Sequence, residues 1–194
     1  MQIEKKYYTV QDSETLKLMF KHIEESEVIA IDTETTSLNM RKGKIVGWSI
    51  SGAEGIGFYL PTLVWSHASN ELQVQEINGQ STEIISKNLL KMLKGKKLVM
   101  HNASFDCRFI KNHFGVDLLE DLWVETLLLV HTVQEEGAGM GVFGLKALAI
   151  SVQEEIGLDV EKAANEEQIE LKGSIKKNGG EATKTNFEIY KADL

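Results

Sequence analysis

Asp32 and Glu34 stand two residues apart, directly after the apolar run Val28-Ile29-Ala30-Ile31. Alternation along an extended chain sends residues i and i+2 to the same side, so both carboxylates can point into one site. Paired carboxylates of that kind suit a divalent cation with a taste for hard oxygen ligands. The triplet alone is weakly specific, because Asp12-Ser13-Glu14 repeats it. That second copy reads as a helix start, with Asp12 and Ser13 as caps and Glu14 as a first-turn acid favoured by the helix dipole. Asp32 has no such account, since a charge placed after four apolar residues is costly unless something compensates it. A third carboxylate, Asp106, follows Val99-Met100-His101-Asn102-Ala103-Ser104-Phe105, a strand running into a turn and a helix. Taken singly, Asp106 is either another first-turn acid or a partner facing Asp32 and Glu34. Taken together, three acids on neighbouring strand ends crowd negative charge in a way best tolerated with cations bound.

These residues need elements to hold them. The stripe Leu16, Leu18, Met19, Phe20 and Ile23 predicts a helix over residues 12–23. Residues 28–32 predict a strand buried on both faces, and two more strands follow near 44–51 and 55–60. The segment Ser51-Gly52-Ala53-Glu54-Gly55 carries hairpin turn chemistry, which makes these three strands neighbours in an antiparallel meander. After Pro61 the pattern loosens until Ser81, which precedes a helix carrying Ile84, Ile85, Leu89, Leu90 and Leu93 and closing near Gly95. A strand over 97–101, helices over 104–113 and 122–133, and a glycine-rich turn leading into 143–150 complete the order, an α/β arrangement.

Composition narrows the classes. With 194 residues and 42% hydrophobic content, one domain with a sizeable core is expected. Lys and Arg number 21 against 29 Asp and Glu, a net charge of -8, which argues against a protein that holds nucleic acid by a basic coat. It does not argue against a metal-dependent nuclease, whose cations meet the phosphate in place of basic residues. A single cysteine, Cys107, excludes an intramolecular disulfide and a cysteine zinc cluster and fits a reducing, intracellular setting. No apolar run approaches the length of a membrane span, so no membrane partner is expected.

Other signals carry less. Gly139-Met140-Gly141-Val142-Phe143-Gly144 matches a dinucleotide fingerprint in letters but follows a helix rather than a strand. Lys91, Lys94, Lys96 and Lys97 read as a solvated helix end, His101 as a packed or hydrogen-bonded strand end, and Cys107 as packing. From residue 161 the chain turns polar and is broken by Gly179-Gly180; Phe187, Tyr190 and Leu194 then start a helix behind Thr185 and Asn186. We expect a domain over 1–160 and, over 161–194, a polar connection and the beginning of a last helix of the same domain, with the chain stopping inside a longer protein.

Three stretches together resemble a known family. Asp32-Thr33-Glu34-Thr35-Thr36 with Leu38, Asn102-x-x-Phe105-Asp106, and Phe143-Gly144-Leu145-Lys146-Ala147-Leu148-Ala149 are similar to the 3′→5′ exonuclease domains of polymerase I-type (family A) DNA polymerases, members of the ribonuclease H-like superfamily. Phe58-Tyr59-Leu60-Pro61 is also similar to the family's pattern. The resemblance implies an α/β, ribonuclease H-like mixed sheet, three antiparallel strands plus parallel strands, flanked by helices. It implies proofreading hydrolysis of the 3′-terminal phosphodiester of single-stranded DNA with two divalent ions, Mg2+ or Mn2+, roughly 3.5–4 Å apart. By the same resemblance Asp32 bridges the ions, Glu34 holds the one carrying the attacking water, and Asp106 serves the other directly or through water. Thr35 and Leu38 contact the terminal nucleotide, Asn102 hydrogen-bonds the strand, and Phe105 packs.

One departure stands out. The family's third motif sets a Tyr and a fourth Asp four positions apart, whereas Tyr190 and Asp193 are three apart. We therefore expect that motif beyond Leu194, Asp193 as a surface acid, and impaired activity in this chain. The layout, with the first motif at residue 32, resembles bacteriophage polymerases, leaves no room for a preceding 5′ nuclease domain, and implies a polymerase domain downstream in the cytoplasm of a bacterium or infected host. The rivals are a stand-alone DNA or RNA exonuclease of the same superfamily and a non-catalytic nucleic-acid-binding module.

Overall fold

Asp12 opens the first helix as its sequence position predicts. Its Oδ1 accepts the Thr15 N–H at 2.8 Å while the Thr15 hydroxyl reaches back, a capping box that starts α1 (Ser13–Glu25). In this computed structural model, residues 5–66 and 68–133 are described, together with 144, 145, 148, 176 and 177. Ahead of α1 lies β1 (Lys6–Thr9); after it come β2 (Val28–Thr35), β3 (Ile45–Ala53) and β4 (Ile56–Pro61). Short ribbons follow, β5 (Leu63–Ser66) with β6 (Glu71–Val74) and β7 (Glu76–Ile77) with β8 (Gln80–Ser81). Next are α2 (Thr82–Leu93), β9 (Lys97–Met100), α3 (Ala103–Phe114), β10 (Leu122–Glu125) and α4 (Thr126–Val133).

The main sheet has the order β1-β4-β3-β2-β9-β10. Its β4-β3-β2 part is the expected antiparallel meander, while β1 runs parallel to β4, β9 to β2 and β10 to β9. Gly55, at φ 77, supplies the left-handed residue that the β3–β4 turn needs. The sheet's alternation sorts the chemistry. Ile29, Ile31, Trp48, Ile50, Phe58 and Leu60 share one buried cluster with Met19 and Ile23 of α1, Ile85 and Leu89 of α2, and Phe109 and Ile110 of α3. Each such fully buried aliphatic side chain contributes roughly 1.5–3 kcal/mol. Trp48 buries its indole by donating Nε1–H to Ser86 Oγ at 3.0 Å, and Ser86 in turn donates to the Thr82 carbonyl at 2.8 Å. Ala30, Asp32 and Glu34, the alternate residues of β2, point to the other face.

Two expectations are corrected. The helix over 122–133 is a strand, β10, followed by a helix only from Thr126, because Leu122, Val124 and Glu125 pair with β9 and complete a sheet edge. The pattern-poor stretch after Pro61 holds the two short ribbons, whose strands are too brief to show a period. Tyr190 and the expected surface acid Asp193, the segments 149–150, 161–175 and 178–194, and the boundary at residue 160 lie outside the described residues. Contacts divide the chain into a unit formed by Met1–Val64 and Gln73–Val130 and a second formed by Trp65–Leu72 and His131–Leu194. The first contains the main sheet and all three carboxylates. In the second, the Leu148 N–H donates to the Gly144 carbonyl at 3.0 Å, one turn of helix. No helix among the described residues is long and apolar enough to cross a membrane.

Candidate active site

The site is built where β9 leaves β2. The two strands pair only through Val28–Lys97, Ile29–Leu98 and Ala30–Val99, so beyond Ala30 that edge of β2 loses its neighbour. Asp106, in the first turn of α3, takes the neighbour's place: its Oδ1 accepts the Thr33 N–H at 2.9 Å and the Thr33 hydroxyl at 2.5 Å. The carboxyl group is buried, with the residue only 3% exposed. What turns the chain from β9 into α3 at that point is Asn102, the N-cap, in the left-handed region at φ 55, where Asn is among the few residues tolerated. Its N–H donates to Glu125 Oε1 at 2.6 Å, and the same carboxylate accepts from Leu127 at 3.3 Å and Leu128 at 2.7 Å, capping α4.

Asp32 lies opposite Ser49, and Glu34 opposite Gly47, on the face turned away from the core. Burial first, then the charges of Asp106 and Glu34, push the Asp32 carboxyl up to about 7. Glu34, at the rim, is raised by partial burial and by Asp106. Burial also raises Asp106, against the opposing hydrogen bonds from Thr33 and the nearby His101. The charge of Asp106 thus reaches both Asp32 and Glu34, and that of Glu34 reaches Asp32, a pattern that marks a candidate functional site. His101 is anchored beside them, its Nδ1 2.9 Å from Thr126 Oγ1. Tyr59 lies across Gly47, where no Cβ fits, and its hydroxyl is pushed up to about 12 by burial and by Glu34.

The remaining expected residues fall into two groups. Thr35, at the end of β2, donates its hydroxyl to the Ser37 carbonyl at 3.2 Å, and Leu38 just beyond is 86% exposed. Asn102 holds the α3 turn with its backbone, and its side-chain Oδ1 accepts from Ser104 at 3.4 Å. Phe105 packs on Phe109 with ring centroids 5.0 Å apart, as expected. Cys107 is buried with Sγ 3.8 Å from Met100 Sδ. Among the described residues no three His, Cys, Asp or Glu side chains are grouped so as to hold a metal ion; Asp106 Oδ1 is committed to Thr33. The oxygen-only donor set of Asp32, Glu34 and Asp106 is nonetheless the type that Mg2+ and Mn2+ take. Sequence reasoning missed Thr33, Glu125 and the placement of Tyr59. Only Tyr59 had a signal, the Phe58-Tyr59-Leu60-Pro61 stretch.

A mixed sheet with an antiparallel meander, a parallel strand beside it and acids at their junction defines the ribonuclease H-like exonuclease class. The model of the 3′-5′ exonuclease family matches residues 7–175, and the chain belongs to that family, the exonuclease domains of family A DNA polymerases. The chain is 28% identical over 108 residues to DNA polymerase I of Borreliella burgdorferi, covering 56% of this chain and 11% of that protein. It is 30% identical over 127 residues to the DNA polymerase of Escherichia phage T5, covering 63% of this chain and 13% of that one. It thus spans about a tenth to an eighth of the curated relatives it matches. Among solved structures, Escherichia coli RNase D, an exoribonuclease involved in structured RNA processing, shares the fold at a TM-score of 0.51 and 16% identity, covering 80% of this chain and 34% of that one.

Proposed function

We propose that this chain removes nucleotides from the 3′ end of single-stranded DNA, as the proofreading part of a DNA polymerase, with two divalent cations held by Asp32, Glu34 and Asp106. The observation that carries this reading is the placement of the acids: Asp32 and Glu34 alternate on one face of β2 where β9 has left it, and Asp106 is seated on Thr33 between them, its Oδ1 accepting the Thr33 N–H at 2.9 Å. Cations bound there would supply Lewis-acid charge at the phosphoryl oxygens and acidify a water. The chain's own residues position the rest. Thr33 fixes Asp106, Leu38 offers an apolar surface to the terminal base, and Thr35 and Asn102 offer hydrogen bonds to the strand. Tyr59 stays protonated at working pH and keeps a hydroxyl beside Glu34. DNA is proposed as substrate because the curated relatives are DNA polymerases. Tyr190 and Asp193 stand three positions apart rather than the family's four, so slow trimming is expected from this chain.

The test is degradation of a 5′-labelled single strand in Mn2+ by the chain and by Asp32→Ala, with an RNA strand of the same sequence in parallel. Expected is a descending ladder of labelled DNA products, lost by about 100-fold or more in the variant. Early release of a labelled mononucleotide would overturn the direction, and equal ladders from both proteins would overturn the site. Faster loss of the RNA would move the substrate to RNA.

A further inference from the structure

Beyond the carboxylates, residues 36–44 form a loop with unusual charge for so acidic a chain, carrying Arg41, Lys42 and Lys44 within four positions. The loop is held in place. The Thr36 N–H donates to the Lys44 carbonyl at 3.0 Å and the Lys44 N–H to Thr36 Oγ1 at 2.9 Å, which closes its neck. Asn39 organises the tip, accepting the Lys42 and Gly43 N–H groups on its carbonyl and the Arg41 N–H on its side chain. Gly43 then seats the loop on α3: an added Cβ would meet the Phe109 ring at 3.0 Å and the Ser37 carbonyl at 2.9 Å. His113 Nε2 lies 3.0 Å from the Gly43 carbonyl, and Asn112 donates to the Met40 carbonyl at 2.9 Å.

The cations themselves are left outward. Arg41, Lys42 and Lys44 are exposed and make no ion pair among the described residues. The contrast is with Lys94, Lys96 and Lys97, which are bound to Asp121, to the Glu24 and Ser26 carbonyls and to Glu27. Arg108 adds a fourth: it is exposed, and it lies four residues before Asn112 on the α3 stripe that touches the loop. The stripe runs back to Ser104, beside Asn102 at the site. The three loop cations also line a cleft of about 480 Å³ together with Thr62 and Glu83, whose own charge is taken by Lys87 at 2.9 Å.

We propose that Arg108, Arg41, Lys42 and Lys44 form a track for the phosphates of a single DNA strand, leading away from the carboxylates along α3. The proposal rests on the exonuclease reading above and adds to it what holds the body of the strand. The acids repel phosphate and act only on the terminal linkage, so a chain of net charge -8 needs local positive charge to keep the strand in place. A loop docked in advance on α3 supplies it without an ordering cost on binding.

The test uses the full chain in Ca2+, which permits binding, with a fluorescein-labelled dT12 read by anisotropy over a range of salt. Compared are the wild type, a quadruple Arg41→Ala/Lys42→Ala/Lys44→Ala/Arg108→Ala, and a charge-matched quadruple Lys5→Ala/Lys17→Ala/Lys21→Ala/Lys91→Ala at exposed positions that do not line the cleft. Each phosphate contact on a single strand contributes about 0.7 to the slope of log K against log salt. The track variant is therefore expected to bind about tenfold more weakly, with a slope flatter by roughly 2–3, while the matched control keeps the wild-type slope. Circular dichroism melts confirm that both variants fold. Equal slopes for the track variant and the wild type, or equal losses in both quadruples, overturn the track alone and leave the exonuclease reading standing. A wild type that binds no DNA overturns both.

Discussion

At the scale of single residues, the site is a conflict between burial and charge. A carboxyl raised to about 7 in the folded chain binds its proton more tightly there than in the unfolded one, where the ordinary value is about 4. Its contribution to stability is thus fully present below pH 4 and is lost as pH rises through 7. Asp32→Asn removes that loss. Without divalent ions the variant is expected to melt higher than the wild type at pH 8, with the gap closing toward pH 4, as calorimetry would show. Equal melting at pH 8 would mean that Asp32 carries no such burden. The acids were legible because a charged residue after Val28-Ile29-Ala30-Ile31 demands an explanation. Thr33 was not, because in an Asp-x-Glu triplet the middle position reads as a spacer. Its grip on Asp106, 73 positions away in sequence, exists only once β9 has parted from β2.

At the scale of elements, local chemistry was readable wherever it acted locally. Asp12 caps α1, Ser81 precedes α2, and the Gly55 turn joins β3 to β4, each near the position its residue types predict. The failure at residues 122–125 has a physical cause: Leu122, Val124 and the leucines after them fit a helix as well as a strand, and only pairing with β9 decides. That pairing makes Glu125 the hinge pin of the local structure, since one carboxylate satisfies N–H groups at the starts of both α3 and α4. Glu125→Ala is expected to cost about 1–2 kcal/mol of stability, in line with a lost helix cap. Urea denaturation measures that cost, and hydrogen exchange should quicken at Asn102 and Leu128 more than at Ile50. Uniform exchange across the sheet would show that Glu125 does not act locally.

At the scale of the molecule, the meander and its parallel neighbour were legible from order and turn chemistry, whereas β1 and β10 were not, because each is a four-residue strand defined by its partner. The consequence of one buried atom reaches further than its packing. The Cys107 sulfur is sealed between α3 and β9, 2% exposed, and its thiol is pushed up to about 11 by burial and by neighbouring acids. As the only cysteine in the chain, it turns any thiol reagent into a stopwatch for how often α3 lifts off the sheet. Asp106 is the next residue on that helix, so whatever grips its carboxylate also holds the lid over the sulfur. Labelling is expected to slow when Mn2+ is added to the wild type and to ignore Mn2+ in Asp32→Ala; one reactive atom then reports occupancy of the site with no substrate and no turnover.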